Sequence, residues 1–377
     1  MKTRLIFSAC IVLCLFANIH SGLAQKGKDI HVKMEPGSWE FETGKVSFED
    51  VGGRQAIVFK DRNHKAILKD VDFSDGTIEF DLQPAEMGFT SIYFRRQGDA
   101  EGEHFYFRTG YNRNKDSEDA IQYAPFMKGV NLWDMFPEYQ SNVSLEANTW
   151  HHVKAIIHGK QMKIYVDDLQ HPVLVVPHIE GNVTHGAISI EGLAKFANMH
   201  IKPGNTEDVP AQPGFDITDN DPRYLRRWEA SRQVRYLDPK IGMDYNTAPD
   251  STTQWIPMQT ERKGMLNLSR EFGGDNKRSI IWIRTQVNAD KDIEKTLRLG
   301  FSDEVWVFVN KQLVYLDKNL YGRPMMKAPS GRISLENASI QIPLKEGKNE
   351  ILMAVENDFY GWGIIARFDS NENIWME

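Results

Sequence analysis

From Trp39 to about Ile201 apolar and polar residues alternate in short runs separated by Gly, Asp and Asn, and a period of two is the signature of half-buried β-strands. In residues 77–83, Ile78, Phe80 and Leu82 fall on one face and Glu79, Asp81 and Gln83 on the other, so one face is core and the other wet. Val153, Ala155 and Ile157 alternate in the same way before Gly159 and Lys160, and Met162, Ile164 and Val166 after them, which predicts a hairpin over 150–167. The same pattern predicts strands at 55–60, 89–96, 104–109, 120–125 and 186–191. No segment of 12 or more residues carries a helical stripe.

The alternation stops at 203–222, PGNTEDVPAQPGFDITDNDP, where four prolines, two glycines and five acids occur without a Lys or Arg. Such a stretch lacks the apolar surface to order itself as a core and reads as a linker. Strands resume at 225–236, 278–287, 294–300, 304–309, 339–344, 349–356 and 363–368. Many short strands and no helices predict an all-β chain of two consecutive β-sandwiches of the jelly-roll type, over 25–202 and 223–377.

Residues 1–24 carry Lys2 and Arg4, an apolar run from Leu5 to Ile19 and small residues at 21–24, the pattern of a signal peptide that sends the chain to the periplasm or outside the cell. No later stretch approaches the roughly 18 to 20 apolar residues of a membrane-spanning helix. Both cysteines, Cys10 and Cys14, lie in that leader, so the remaining chain has no disulfide and depends on the size of its cores. The formal net charge of −7 becomes −9 once Lys2 and Arg4 leave. An acidic chain argues against a nucleic-acid partner. The cluster Arg223, Arg226, Arg227, Arg232 and Arg235 reads as outward-facing charge.

The segments DGTIEFDL (75–82) and WHHVKAIIHGKQMKIYVDD (150–168), with Trp39, resemble the concanavalin A-like, laminin G-like lectin and glucanase sandwiches. The second half is similar to the galactose-binding-like β-sandwiches of secreted bacterial carbohydrate-active proteins, through residues 264–268, 280–285 and FSDEVWVFVNKQLVY (301–315), with Lys311 where glycine is commoner. Both resemblances imply contact with a polysaccharide or oligosaccharide. They imply no cofactor and leave room only for a structural calcium.

Glucanases of the first type carry E-x-D-x-E on one strand, because retaining hydrolysis needs two carboxyls about 5 Å apart. Here Glu79 and Asp81 fill the first two places and Gln83 the third, so the acid/base carboxyl is missing and the pair are weak catalytic candidates. His151 and His152 are adjacent on a strand and face opposite sides, which does not suit one metal. No HExxH, CxxC, Walker, Rossmann or G-x-S-x-G pattern occurs.

A sugar site needs an aromatic ring for pyranose C–H groups and planar polar side chains for hydroxyls. The richest stretch is 123–139, with Trp133, Phe136 and Tyr139 in a loop. Tyr93 and Arg95 are expected to share one face, as are Tyr106 and Arg108, so the candidate ligand-binding set is Tyr93, Arg95, Tyr106, Arg108, Trp133 and Tyr139. The alternative use of Trp133 and Phe136 is to plug an edge of the sandwich. The function expected is a secreted carbohydrate-binding or accessory protein of polysaccharide utilisation, with a glycoside hydrolase sited in the first sandwich, or a protein-interaction module, as alternatives.

Overall fold

The computed structural model describes residues 27–110, 117–232, 234–235, 245–274 and 278–376. The expected leader therefore lies outside the described residues, as does the end of the strand expected at 225–236. Nearly every other expected strand is present, within three residues of its predicted ends.

The first sandwich pairs two antiparallel sheets. The back sheet runs Leu174–Val176, Gln161–Val166, His151–His158, Gly76–Pro84, Ala194–Pro203, Arg54–Phe59 and Val46–Val51. The second, here the cleft sheet, runs Val130–Asn131, Ile121–Met127, Glu101–Thr109, Gly88–Gln97, Ala187–Gly192, Lys65–Leu68 and Trp39–Phe41. Their inner faces meet over Phe80, Phe94, Phe105, Phe107, Tyr123 and Phe196, all without exposed surface. This is the alternation of 77–83 seen from inside: Ile78, Phe80 and Leu82 point into the core.

The second sandwich has the same logic. One sheet runs Ile256–Gln259, Arg227–Ala230, Ser279–Ala289, Gly347–Asn357, Glu304–Val309 and Gln312–Lys318; the other runs Met265–Asn267, Gly363–Phe368, Ile293–Ser302 and Ala338–Leu344. Between them lie Phe301, Val307, Met353, Trp362 and Phe368. Trp362 is fully buried and its indole N–H donates to Gly273 O at 2.8 Å, so it packs.

Two expectations need correction. Among the described residues one short α-helix exists, Leu268–Phe272, too short to show a helical stripe; the Asn267 side chain caps it by accepting from Arg270 N–H at 3.1 Å. The expected strand at 225–236 is broken into Arg227–Ala230 and Val234–Arg235, which pair with different stretches of Ser279–Ala289.

Residues 203–222 carry no strand beyond Pro203, yet they are pinned along the back sheet. Val209 is buried against Ile156 and Tyr165. Lys160 N–H donates to Ala211 O at 2.9 Å, and the acids find lysines on the hairpin, Glu207 with Lys154 and Asp208 with Lys163.

Candidate functional site

The outer face of the cleft sheet is set by its register. Tyr93 stands opposite His104, and Ser91 opposite Tyr106, which stands opposite Gln122. Side chains directly opposite in an antiparallel pair point the same way, so these residues form one surface. Tyr93, His104 and Tyr106 stand on edge like plates in a rack, with ring centroids 4.9 and 5.0 Å apart and near-parallel planes. The Arg108 guanidinium closes the row 4.7 Å from the Tyr106 ring.

The polar edges of the rack are wired together. Arg108 Nη2 donates to the Tyr106 hydroxyl at 2.6 Å and to Gln122 Oε1 at 2.5 Å, the Tyr106 hydroxyl donates to Gln122 Oε1 at 3.0 Å, and Gln122 Nε2 donates to Trp133 O at 2.6 Å. The strand floor therefore fixes the backbone of the Trp133 loop. His104 Nδ1–H donates to Ala124 O at 2.5 Å, which leaves its other ring nitrogen as an acceptor. Burial keeps this imidazole neutral by lowering its pKa to about 3.

Trp133 forms the wall, packed with Tyr106 and Ala124. Its other side meets the second sandwich: the Trp133 ring lies 4.8 Å from Tyr321, 6.1 Å from Tyr360 and 6.5 Å from Phe359, centroid to centroid, and the Arg332 guanidinium lies 5.0 Å from it. Tyr321, Phe359 and Tyr360 are each more than 40% exposed, as is Phe89 on the Tyr106 side. A continuous aromatic path thus runs from Phe89 through Tyr106 and Trp133 to a rim contributed by the second sandwich.

Two buried acids hold the two loops together. Asp134 follows Trp133, and its Oδ1 accepts from Gly361 N–H at 3.2 Å. Asp303 Oδ2 accepts from the Asp358 and Phe359 amides at 2.6 and 2.7 Å. Ser302 Oγ lies 3.3 Å from Asp134 Oδ2 and 3.1 Å from Asp303 Oδ1. A hydroxyl has one proton to give, so one carboxyl must supply a second. Asp134 supplies it, because burial together with the neighbouring Asp303 pushes its pKa well up. Gly361 sits so close that a Cβ there would lie 2.5 Å from Met135 Cγ and 2.9 Å from Asp134 Oδ1.

Of the six expected ligand residues, Tyr93, Tyr106, Arg108 and Trp133 come together here. Arg95 does not share the Tyr93 face. An extra residue between Phe94 and Gln97 makes a bulge, Arg95 takes φ 51°, and its side chain turns to the end of the sandwich. There it is 2% exposed and donates to Ser74 O, Asp75 Oδ1 and Gly159 O at 2.8 to 2.9 Å. Tyr139 is also buried, stacked on Phe136 with its hydroxyl donating to Glu180 Oε1 at 2.6 Å.

Glu79 and Asp81 lie on the outer face of the back sheet, away from the cleft. Glu79 is bound by Lys202 at 2.9 Å, and Asp81 by Arg54, His152 and Asn198. His151 is bound to Asp167 and, unlike His152, is buried, so the two do face opposite ways. Among the described residues no cluster of three or more His, Asp or Glu is arranged for a metal, and no helix is long and apolar enough to cross a membrane. Phe89, His104, Gln122, Tyr321, Phe359 and Arg332 were not singled out by the sequence. His104 shares strand parity with Tyr106 and Arg108, a signal that could have found it.

No family model and no curated protein matches the chain. Solved structures do. A carbohydrate-binding module of Bacillus subtilis, CBM66, is 17% identical with a TM-score of 0.33, over 44% of this chain and 96% of its own. A Bacillus licheniformis β-glucanase is 14% identical with a TM-score of 0.33, over 48% and 99%. A family 16 endo-glucanase of Bacteroides ovatus is 11% identical with a TM-score of 0.31, over 48% and 89%.

Proposed function

We propose that this chain is a glycan-binding protein acting outside the cytoplasm, with its ligand lying along the aromatic path from Phe89 to Tyr321 and Phe359. The observation that carries the reading is the placement of solvent-exposed rings at both ends of a floor of wired planar polar groups. Pyranose C–H faces stack on such rings, and the buried, mutually hydrogen-bonded groups between them hold the rings in place. The leader pattern over 1–24 supports the location.

Binding is favoured over hydrolysis by where the carboxyls lie. Glycoside hydrolysis needs two that reach the sugar, about 5 to 10 Å apart. Glu79 and Asp81 are on the far sheet in ion pairs, and Asp134 and Asp303, each 2% exposed, are committed to joining the loops. Glu191, an acid on the cleft-sheet face, is hydrogen-bonded by Tyr93, with none of those four carboxyls beside it. A glycan array with the chain lacking residues 1–24, paired with a reducing-sugar assay on each glycan bound, tests this. The expected result is binding without sugar release, lost in Tyr321→Ala and Phe359→Ala. Release of reducing sugar would make the protein a hydrolase, and binding that survives both substitutions would place the ligand elsewhere.

A further inference from the structure

Behind the Trp133 loop, where Met135 and Phe136 point, a cavity of about 580 Å³ separates the two sandwiches. That is within the ~300–1,000 Å³ range of small-molecule sites, which favour such junctions. One wall is a pair of like charges. Arg298 and Arg367 stand directly opposite each other on neighbouring strands, an arrangement that destabilises a sheet unless something answers it. Asp369 answers Arg298 at 3.2 Å. The Arg367 guanidinium lies 5.7 Å from the Tyr224 ring, which also carries Arg226, and among the described residues Arg367 Nε finds no hydrogen-bond partner.

The facing wall repeats this imbalance. Arg262 Nη1 donates to Gly214 O at 2.7 Å, while its buried Nε lies 3.8 Å from Glu180 and among the described residues makes no hydrogen bond. Three of the acids around the cavity are engaged, Glu138 with Lys263 at 2.7 Å, Glu180 with Tyr139 and Glu261 with Arg270, and the fourth, Glu336, is exposed. Among the buried side-chain atoms of the described lining, donors, not acceptors, are left over. Buried donors without partners are rare in folded proteins, and each asks what it is for. Met135, Phe136 and Leu335 add apolar surface to the lining.

We propose that this cavity is a second binding site, for a small sugar bearing a carboxylate, that is, a uronic acid or the uronate end of an oligosaccharide. The carboxylate supplies the negative charge and acceptors that Arg367 and Arg262 lack, and the ring lies on the apolar floor. Guanidinium matches carboxylate in shape as well as charge. The ligand of the aromatic cleft plays no part in this site.

Calorimetric titration of the chain lacking residues 1–24 with galacturonate and digalacturonate, against galactose and acetate, tests it. The uronates should bind at least tenfold more tightly than either control. Arg367→Gln should weaken them tenfold or more, and Leu335→Trp, which fills the cavity from another side, should abolish binding even if the Arg367 variant folds poorly. Tyr321→Ala, in the cleft rim, should change nothing. Uronates that bind no better than galactose or acetate, or whose binding ignores both cavity variants, or falls with Tyr321→Ala, would overturn the proposal. Failure of the glycan array would leave this titration unaffected.

Discussion

Replacing Asp303 by asparagine should remove a pH dependence that can be sized from the structure. Asp303 is 2% exposed, and burial lifts its pKa from 3.8 to about 7 despite the two amides and the Ser302 hydroxyl that favour its anion. The folded state then holds a proton that the unfolded state gives up near pH 4, so stability falls as pH rises from about 4 to about 7 and levels off above that. At 1.36 kcal/mol per pKa unit the loss is about 4 kcal/mol. The asparagine of Asp303→Asn would accept the same two amides through its side-chain oxygen, with nothing to titrate. Asp134 is raised chiefly by its own burial, which the variant keeps, and only then by the neighbouring Asp303. The charged and titratable neighbours, Asp358, Tyr360 and Tyr106, with Arg332 beside Trp133, are likewise common to both. Urea unfolding followed by tryptophan fluorescence at pH 4.5 and 7.5 should show the variant gaining on the wild type by several kcal/mol at the higher pH. Parallel stability curves would refute the raised pKa of Asp303.

Other substitutions separate architecture from site. Gly361→Ala must push Met135 and Asp134 aside and should cost about 1 to 3 kcal/mol in urea unfolding while weakening glycan binding, because the Trp133 wall moves with them. Arg95→Met should cost about 3 kcal/mol, the low end for a broken buried pair, since Asp75 keeps the Gly159 amide and is partly exposed; a loss below 1 kcal/mol would contradict its structural role. Glu79→Gln with Asp81→Asn should cost no more than about 1 kcal/mol per pair and leave array binding unchanged, and any loss of binding would move the ligand to the back sheet.

The fold was legible because its strands alternate cleanly. Ile78, Phe80 and Leu82 announce a core face in seven residues, and the turn at Gly159 and Lys160 is visible from the alternation on either side. What the pattern cannot show is order imposed from a distance. Residues 203–222 have too few apolar side chains to organise themselves, yet Val209 reaches a patch of Ile156 and Tyr165 made by the hairpin, and Lys154 and Lys163 answer the acids. The helix at Leu268–Phe272 is invisible for a related reason: five residues are held by the Asn267 cap and by contacts with Trp362, not by a stripe of their own.

The site divides along the same line. Tyr106 and Arg108 are two apart on one strand, so a shared face follows from period two, and the structure keeps it. Tyr93 and Arg95 have the same spacing, but a single extra residue reverses the second, and nothing in the composition of Phe94-Arg95-Arg96 distinguishes a bulge from a regular strand. Trp133 offered two readings, a platform or a plug, and the packing seen is that of the plug. It seals the edge of the first sandwich by meeting the second, and in doing so joins a buried floor to the exposed rings of Tyr321 and Phe359. Those rings lie some 190 to 230 residues further along the chain, where only the packing of one sandwich on the other makes them part of the same surface. The Asp134–Ser302–Asp303 cluster is what fixes that packing at this point, and none of its three residues could be read from the alternation of either half.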